Sequence, residues 1–417
     1  MLRCGLLGET LGHSYSPRIH ALLGDYDYQL YEKKPEELEQ FLLQGDWNGL
    51  NVTIPYKKAV IPFCNHLSEL AERTGSVNTL VKRRDGSIYG DNTDAFGFSC
   101  MLRKLQMDPA GKKTLILGNG GACASVKAIL EQEGADVIVI SRKGVDNYEN
   151  LDRHRDACLL VNTTPVGMYP HNGKRPVDLT QFPDVKGVLD IVYNPARTSL
   201  ILQAEQLGIP CGSGLHMLVA QAKRSSELFT GNSISSGRID EIERKLSCEM
   251  QNLILIGMPG CGKSHVASVL SQMTGREVLE LDDRFAVRYG MTPQDCILKY
   301  GEEDFRRRET EVIRSEAICS GKILSTGGGC VTVPENYPLL HQNGIILWIR
   351  RDIRKLPVKD RPLSQQNTPE ELYRKRAPLY EQFADLIVDN QNSPEDTAAA
   401  MLELIRGVQS VWKPSVF

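Results

Sequence analysis

Two glycine-rich loops of different kinds lie about 140 residues apart in this chain: Gly118-Asn119-Gly120-Gly121-Ala122 and Gly257-Met-Pro-Gly260-Cys261-Gly262-Lys263-Ser264. Each follows a run of strand-forming residues and opens a stretch that can be helical. In that arrangement glycines let backbone N–H groups approach phosphate at a helix N-terminus. The second loop satisfies Gly-x4-Gly-Lys-Ser in full. Its backbone, with Gly260 and Gly262, fits the phosphates of a nucleoside triphosphate, Lys263 reaches the β and γ oxygens, and Ser264 ligates Mg²⁺. The first loop fits a dinucleotide pyrophosphate through Gly118, Gly120, Gly121 and Ala122. Strand–helix turns of this kind also arise for packing alone, so the end of the following strand is the more selective signal. A site for the ribose 2′-hydroxyl of NAD wants Asp or Glu there. This chain has Ser141-Arg142-Lys143, whose two cations suit the 2′-phosphate of NADP. The plain alternative is a solvated basic turn.

The elements that must hold these loops are legible as apolar runs. Residues 114–117 and 136–140 are β-branched strands flanking a helical segment at 121–133, which makes one βαβ unit and predicts a parallel sheet. Further strands are expected at 158–162 and 187–191, and helices at 198–208 and 214–229. Residues 1–102 alternate short strands with helical stretches. A turn-rich segment starts at Thr230, followed by a short amphipathic helix from Ile239 to Leu246. A new strand opens at 252–256, so a boundary with almost no linker is expected at 247–250.

With 417 residues, 41% of them hydrophobic, the chain can build two to four ordinary cores. A net charge of −3 gives no bulk attraction to nucleic acid or to an anionic membrane, and no basic aromatic stripe is present. No apolar stretch approaches 18 residues, and residues 1–8 read as a first strand and turn rather than a leader. Eleven scattered cysteines without a Cys-x-x-Cys pair argue against a disulfide framework or a zinc site. A cytoplasmic location is expected.

Three segments in the first hundred residues carry a sharper signal. They are Gly12-His-Ser14-Tyr-Ser16-Pro17, Asn51-Val-Thr53-Ile-Pro55-Tyr-Lys57, and Asn78-Thr79 followed by Gly90-Asp-Asn92-Thr-Asp94. Asn162-Thr-Thr-Pro-Val-Gly167-Met168, Asp190-Ile-Val-Tyr193-Asn-Pro and Gly214-Leu-His-Met217-Leu-Val-Ala-Gln221 follow in order. Together these resemble the shikimate dehydrogenase family over about residues 1–246. The resemblance implies that Ser14 and Ser16 bind a substrate carboxylate, and that Asn51, Thr53, Asn78 and Gln221 bind ring hydroxyls. It adds Tyr193 to the substrate site and Gly214 to the cofactor site, and makes Lys57 and Asp94 the catalytic pair. The residue types agree: a small polyhydroxy acid offers little apolar area and must be gripped by many short polar groups. A lysine beside a carboxylate favours the ammonium, a proton donor suited to ketone reduction. Oxidation needs it neutral and is expected to quicken as pH rises. Taken singly, the serines could merely cap a helix near Pro17 and Lys57 could be a surface residue. Two departures are Asn119, where the family usually has Ala, and a short stretch between Lys143 and Asn162, which predicts a trimmed adenosine side.

Around the second loop stand Asp282, Gly301-Glu-Glu-Asp-Phe305-Arg306-Arg-Arg-Glu309, Ser325-Thr-Gly327-Gly328-Gly329, Arg361-Pro-Leu and Arg376-Ala-Pro-Leu-Tyr380. This ordered set resembles shikimate kinase over about residues 251–408. The resemblance implies that Asp282 orients or deprotonates the acceptor hydroxyl and that Arg306 and Arg376 bind the substrate carboxylate. Gly327, Gly328 and Gly329 admit substrate to the backbone, and Arg361 in a lid contacts phosphate. Lys263 joins Asp282 as a catalytic residue. Arg307 and Arg308 are read as a solvated helix face. Glu280 stands where the family usually has Asp and is expected to reach Mg²⁺ through water. The lid at 350–362 is short, which predicts relaxed nucleotide selectivity.

The fold expected is α/β throughout. An αβα substrate domain spans 1–102, completed by helices at about 214–246. A Rossmann NADP-binding domain spans 103–213, and a P-loop kinase domain with a parallel sheet spans 251–417. The two resemblances imply consecutive reactions: reduction of 3-dehydroshikimate with NADPH, then phosphorylation of shikimate with ATP and Mg²⁺. The partners are small molecules, not nucleic acid or membrane. A quinate-preferring dehydrogenase half, or a kinase-like half kept for regulation, are the alternatives.

Overall fold

The computed structural model describes residues 1–12, 14–356 and 368–411. Three sheets follow one another along the chain. The first comprises β1 (Arg3–Gly8), β2 (Asp27–Glu32), β3 (Gly49–Val52), β4 (His66–Leu67), β5 (Thr79–Lys82) and β6 (Ile88–Asp91), in the order β2-β1-β3-β5-β6-β4. It is mixed: β3–β5 and β5–β6 run antiparallel, and the other pairs are parallel. Helices α1 (Ser16–Leu23), α2 (Leu38–Gln44) and α3 (Glu69–Thr74) connect it, and α4 (Thr93–Lys104) leads away from it.

The second sheet is wholly parallel, in the order β11-β10-β9-β7-β8. Its strands are β7 (Lys113–Leu117), β8 (Asp136–Ile140), β9 (Leu159–Asn162), β10 (Gly187–Asp190) and β11 (Cys211–Ser213). Helices α5 (Gly121–Gln132) and α6 (Ser199–Gln206) are its crossovers. Leu115, Leu117, Val161 and Leu189 are fully buried, the near-continuous apolar pattern of strands covered on both faces. Between β8 and β9 lies only a 3-10 turn at Leu151–His154, so the short stretch seen in the sequence is a loop without a crossover α-helix.

Helices α7 (Leu215–Thr230) and α8 (Gly237–Met250) return to pack on α1 and α4. The amphipathic helix is longer than expected: α8 runs to Met250, and the next strand begins two residues later. Its last turn is tied to the third sheet and its helices. Arg276 donates to the carbonyls of Cys248 and Gln251, and Gly321 N–H donates to Met250 O at 2.7 Å.

The third sheet, order β13-β14-β12-β15-β16, is again all parallel. It contains β12 (Asn252–Ile256), β13 (Val278–Glu280), β14 (Ile323–Ser325), β15 (Gly344–Arg350) and β16 (Leu386–Asp389). The central strand β12 buries Leu253, Ile254, Leu255 and Ile256, each contributing on the order of 2 kcal/mol. Around it lie α9 (Lys263–Thr274), α10 (Leu281–Tyr289), α11 (Pro293–Tyr300), α12 (Glu302–Glu316), α13 (Asn336–His341), α14 (Pro369–Phe383) and α15 (Pro394–Val411).

The second and third sheets are joined at the turn feeding β15. Ala196 N–H donates to Asn343 Oδ1 at 2.8 Å and Arg197 N–H to Gln342 O at 2.9 Å, while Asn172 Nδ2 donates to Gln342 Oε1 at 2.8 Å. Gln342 and Asn343 are both buried, so this junction is a packed interface rather than a loose tether. All eleven cysteines are free thiols. Among the described residues no helix is long and apolar enough to cross a membrane.

Candidate active sites

The first site gathers at the strand ends of the first sheet. Asn92 caps α4, and Asp94 falls in that helix's first turn, where the helix dipole favours negative charge. Lys57 Nζ donates to Asp94 Oδ2 at 2.6 Å, and Asn78 Nδ2 donates to Asp94 Oδ1 at 2.8 Å. Both carboxylate oxygens are thereby engaged. Asn78 is fixed in turn, because its Oδ1 accepts from Thr93 N–H at 2.7 Å. Asn51, at the end of β3, accepts from the Tyr28 hydroxyl at 2.9 Å and donates to Ser225 Oγ at 2.8 Å. Gln221 Oε1 lies 3.4 Å from Thr93 Oγ1. Thr53 follows β3 with its N–H bonded to Leu7 O at 2.9 Å.

Ser16 opens α1 and also touches the Tyr28 phenol. Neither serine makes the helix-capping bond considered from the sequence. The residue preceding α1 is Tyr15, without a side-chain cap, and Ser14 Oγ instead accepts from Ser16 N–H at 3.2 Å. Tyr193 meets the Tyr15 ring edge-on at 6.0 Å, and burial pushes its phenol upward in pKa.

The glycine loop of the second sheet faces this cluster. Gly118 has φ +101°, and a Cβ there would lie 2.6 Å from Thr164 Cγ2, so backbone freedom and space both select glycine. Gly121 begins α5, and a Cβ there would lie 3.7 Å from Lys57 Cδ. The lysine therefore lies beside the loop built for a cofactor. Gly120 and Gly121 are exposed at the helix N-terminus and Ala122 is half-buried, while Arg142 and Lys143 are exposed beyond Ser141 at the end of β8. A cradle open at its glycines with cations at the next strand fits a 2′-phosphorylated dinucleotide. Gly214 has a packing reason of its own: a Cβ would overlap Ile191 O.

The second site forms at the strand ends of the third sheet. Gly262, at φ +105°, precedes α9, and Lys263 Nζ bonds the loop carbonyls of Gly257 and Met258 at 3.0 and 3.2 Å. Ser264 Oγ donates to Glu280 Oε2 at 3.2 Å, which puts the predicted Mg²⁺ hydroxyl and the predicted water-organising carboxylate side by side. This oxygen donor set fits a hard divalent cation. Asp282 lies in the first turn of α10 with an exposed side chain, facing the Gly327 backbone. Desolvation there raises its pKa, opposed by the charges of Lys263 and Arg306.

The three glycines of residues 327–329 each meet a different part of the site. A Cβ on Gly327 would strike Glu309 Oε1, one on Gly328 would strike Pro259 of the phosphate loop, and one on Gly329 would overlap the Arg306 guanidinium. Arg376 Nη1 donates to Gly328 O at 3.3 Å. Arg306 is held by Glu309 at 2.6 Å and Glu302 at 3.1 Å. Arg307 is exposed and pairs with Asp304 and Glu311, as a solvated helix face does, whereas Arg308 departs from that reading: it is half-buried, pairs with Asp304 and lies over the rings of Tyr289 and Tyr300. Arg361 lies outside the described residues.

Four groups given no role from the sequence stand in these sites: Tyr28, Thr93 and Ser225 in the first, Glu309 in the second, with Thr93 and Glu309 inside motifs already quoted. Glu309 was findable, three residues after Arg306 on one helix and so on the same face. It is buried, burial raises its carboxyl pKa, and its Oε1 has no hydrogen-bond partner. Ser225 was findable in the same way, four residues after Gln221 on one helix face, although its contact with Asn51 spans 174 positions; Tyr28 lies 23 positions from Asn51, and no spacing pointed to it.

Fold and sites together define a nucleotide-dependent oxidoreductase joined to a P-loop phosphotransferase. Known proteins sharpen both halves. The family model for the shikimate dehydrogenase substrate binding domain matches residues 6–80, and that for shikimate kinase matches residues 259–406. A shikimate dehydrogenase (NADP(+)) of Methanopyrus kandleri is 41% identical over 261 residues, covering 54% of this chain and 89% of that protein. Among solved structures, a chorismate mutase/shikimate 5-dehydrogenase fusion protein from Clostridium acetobutylicum is 35% identical, with TM-score 0.56. It covers 59% of this chain and 97% of that one. Shikimate 5-dehydrogenase from Thermus thermophilus, in complex with NADP(H) and shikimate, is 31% identical with TM-score 0.52, covering 59% and 99%. The chain belongs to the shikimate dehydrogenase family through its first part and carries a shikimate kinase domain behind it.

Proposed function

We propose a division of labour in which the two sites act in turn on one small hydroxylated acid. The chain is a bifunctional enzyme of the shikimate pathway: an NADP-dependent dehydrogenase reduces 3-dehydroshikimate to shikimate, and an ATP- and Mg²⁺-dependent kinase phosphorylates the shikimate 3-hydroxyl. The single observation that carries the first reaction is the Lys57–Asp94–Asn78 chain beside the cofactor loop. Bound NADPH supplies the hydride. Lys57 donates a proton to the alkoxide that forms, Asp94 and Asn78 hold the ammonium in place, and Asn51, Thr53 and Gln221 orient the ring hydroxyls. Ser14, Ser16 and Tyr193 close the carboxylate end.

In the second site ATP supplies the phosphoryl group, and positioning with spread positive charge does most of the work. Gly260, Gly262 and Lys263 hold phosphate, while Ser264 and Glu280 hold Mg²⁺ and its water. Arg306, Arg376 and the backbone of 327–329 hold shikimate, and Asp282 takes the proton of the attacking hydroxyl. The raised pKa of Asp282 brings that base nearer to neutrality, where general bases act best. Free thiols at every cysteine support placing both reactions in the reducing cytosol.

The test is one coupled assay: 3-dehydroshikimate, NADPH and ATP-Mg²⁺, followed for shikimate 3-phosphate. Lys57→Ala should block the first step and leave shikimate phosphorylation intact; Lys263→Ala should do the reverse. A native chain that oxidises quinate faster than shikimate would replace the substrate proposed for the first half. A native chain that leaves shikimate unphosphorylated would remove the second.

A further inference from the structure

The polar floor of the dehydrogenase site contains one hydroxyl that no motif includes. Ser225 lies on α7, one turn beyond Gln221 and on the same helix face. It is fully buried. Its Oγ lies 2.8 Å from Asn51 Nδ2, 2.9 Å from Thr79 Oγ1, 3.0 Å from Thr93 Oγ1 and 3.0 Å from Gln221 O. A hydroxyl has one proton to give and two lone pairs. With its proton on Gln221 O, a bond back to the preceding helical turn, Ser225 is left to accept from Asn51 and from one threonine.

That arrangement matters because a carboxamide can turn over. Asn51 keeps nearly the same shape when its oxygen and nitrogen exchange places, but it then offers the opposite hydrogen-bonding character to a ligand. Three neighbours set its orientation: the Tyr28 hydroxyl donates to Oδ1, while Nδ2 donates to Ser225 Oγ at 2.8 Å and, at the longer distance of 3.4 Å, to Thr79 Oγ1. The threonines extend the same control: Thr93 Oγ1 lies 3.2 Å from Asn78 Oδ1 and 3.4 Å from Gln221 Oε1, and Thr79 Oγ1 lies 3.2 Å from Asn78 Oδ1. All three carboxamides assigned above to the substrate are therefore tied to Ser225, either directly or through one threonine. The helix can come this close because α4 presents Gly97 to α7, where a Cβ would lie 2.6 Å from Met217 O and 3.2 Å from Gln221 Cβ.

We propose that Ser225 is a positioning residue of the dehydrogenase site, setting the donor and acceptor orientation of Asn51 toward the substrate hydroxyls. This rests on the dehydrogenase reading above. Removing the Ser225 hydroxyl takes away the shorter of the two acceptors of Asn51 Nδ2 and leaves only the 3.4 Å contact to Thr79, a loss large enough to shift affinity on the order of tenfold. In the full-length chain, Ser225→Ala should raise KM for 3-dehydroshikimate about tenfold, while KM for NADPH and kcat stay within about twofold. Shikimate kinase kinetics on the same chain should be unchanged and report that it is folded.

A double-mutant cycle with Asn51→Ala gives a readout that a merely structural role would not move. If Ser225 acts through Asn51, the double variant is no worse than Asn51→Ala alone; additive effects overturn the proposal. An unshifted KM, or a fall in kcat at constant KM, overturns it as well. Should Ser225→Ala not fold, Ser225→Cys retains the volume with a weaker hydrogen-bonding group. Its KM must then rise above native, and a native KM in that variant overturns the proposal. A native chain inactive toward 3-dehydroshikimate would overturn the dehydrogenase reading itself, whereas an active native chain with an unshifted variant would overturn only the role of Ser225.

Discussion

The two sites use the same pair of residues in the same local setting and wire them oppositely. In each, an aspartate is the second residue of a helix that follows a strand: Asp94 in α4 after β6, Asp282 in α10 after β13. In each, a lysine stands beside a glycine-rich loop. In the dehydrogenase half the lysine bonds the aspartate directly, at 2.6 Å, and the other carboxylate oxygen goes to Asn78. In the kinase half the lysine bonds the carbonyls of its own loop, and no hydrogen bond contributes to the state of Asp282. One aspartate is committed to aiming a lysine; the other is left to take up a proton. The difference follows the chemistry. Ketone reduction must deliver a proton to an alkoxide, whereas phosphorylating a hydroxyl must remove one.

The largest test of this contrast is a cross of the two lysines. Lys57→Ala should lower dehydrogenase kcat by about a thousandfold, the middle range for losing a positioned proton donor, and leave the kinase untouched. Lys263→Ala should do the converse. Cross-effects on the other activity would mean that the sites are not wired separately.

Next in size is Asp282→Asn, which should cut kinase kcat by about a hundredfold through loss of a base. The native kinase rate should fall with decreasing pH as Asp282 takes up its proton, beginning at higher pH than for an ordinary carboxylate, because cleft desolvation raises its pKa. A residual rate in Asp282→Asn that still follows the native pH profile would remove Asp282 as the titrating base.

The smallest effect concerns a third carboxylate that has neither arrangement. Asp190 is buried at the end of β10 and bonded by Asn162, Thr198 and the Val192 N–H, with no lysine. Burial pushes its pKa up to about 6. The folded state therefore binds its proton more tightly than the unfolded chain. Its contribution to stability is greatest below the unfolded value near 4 and is lost as pH rises through about 6, a change on the order of 3 kcal/mol. Asp190→Asn should abolish that part of the slope in thermal unfolding of the dehydrogenase half. An identical slope in the variant would show that its bonding partners fully offset burial.

Much of this was legible along the chain because it is local. A phosphate loop needs its glycines, lysine and serine within eight positions, and its strand and helix directly on either side, so β12 and α9 lay where the apolar run and the motif put them. Asp94 was visible because it sits inside a compact motif, and Asp282 through its place in an ordered set of segments after the phosphate loop. Helix α8 was underestimated because its last turn, through Met250, is held by Arg276 from beyond the next strand, a contact that no periodicity encodes. The partners that decide how each catalytic group behaves were least visible. Asn51 and Ser225 are 174 positions apart, and a serine on a helix face carries no label.

By itself the sequence determined the kinds of chemistry: two phosphate-binding loops, a charge pattern suited to NADP, a set of short polar residues around the first loop and a set of arginines and glycines around the second. These are properties of residue type at short spacing, where the backbone leaves little choice. Only the tertiary structure decided which lysine bonds which oxygen, which neighbours hold each carboxamide, and which aspartate has no lysine bonded to it. Those depend on distances of about 3 Å between residues that meet only after the sheets and helices have packed, since hydrogen bonds weaken steeply with small displacements and desolvation depends on the surrounding fold.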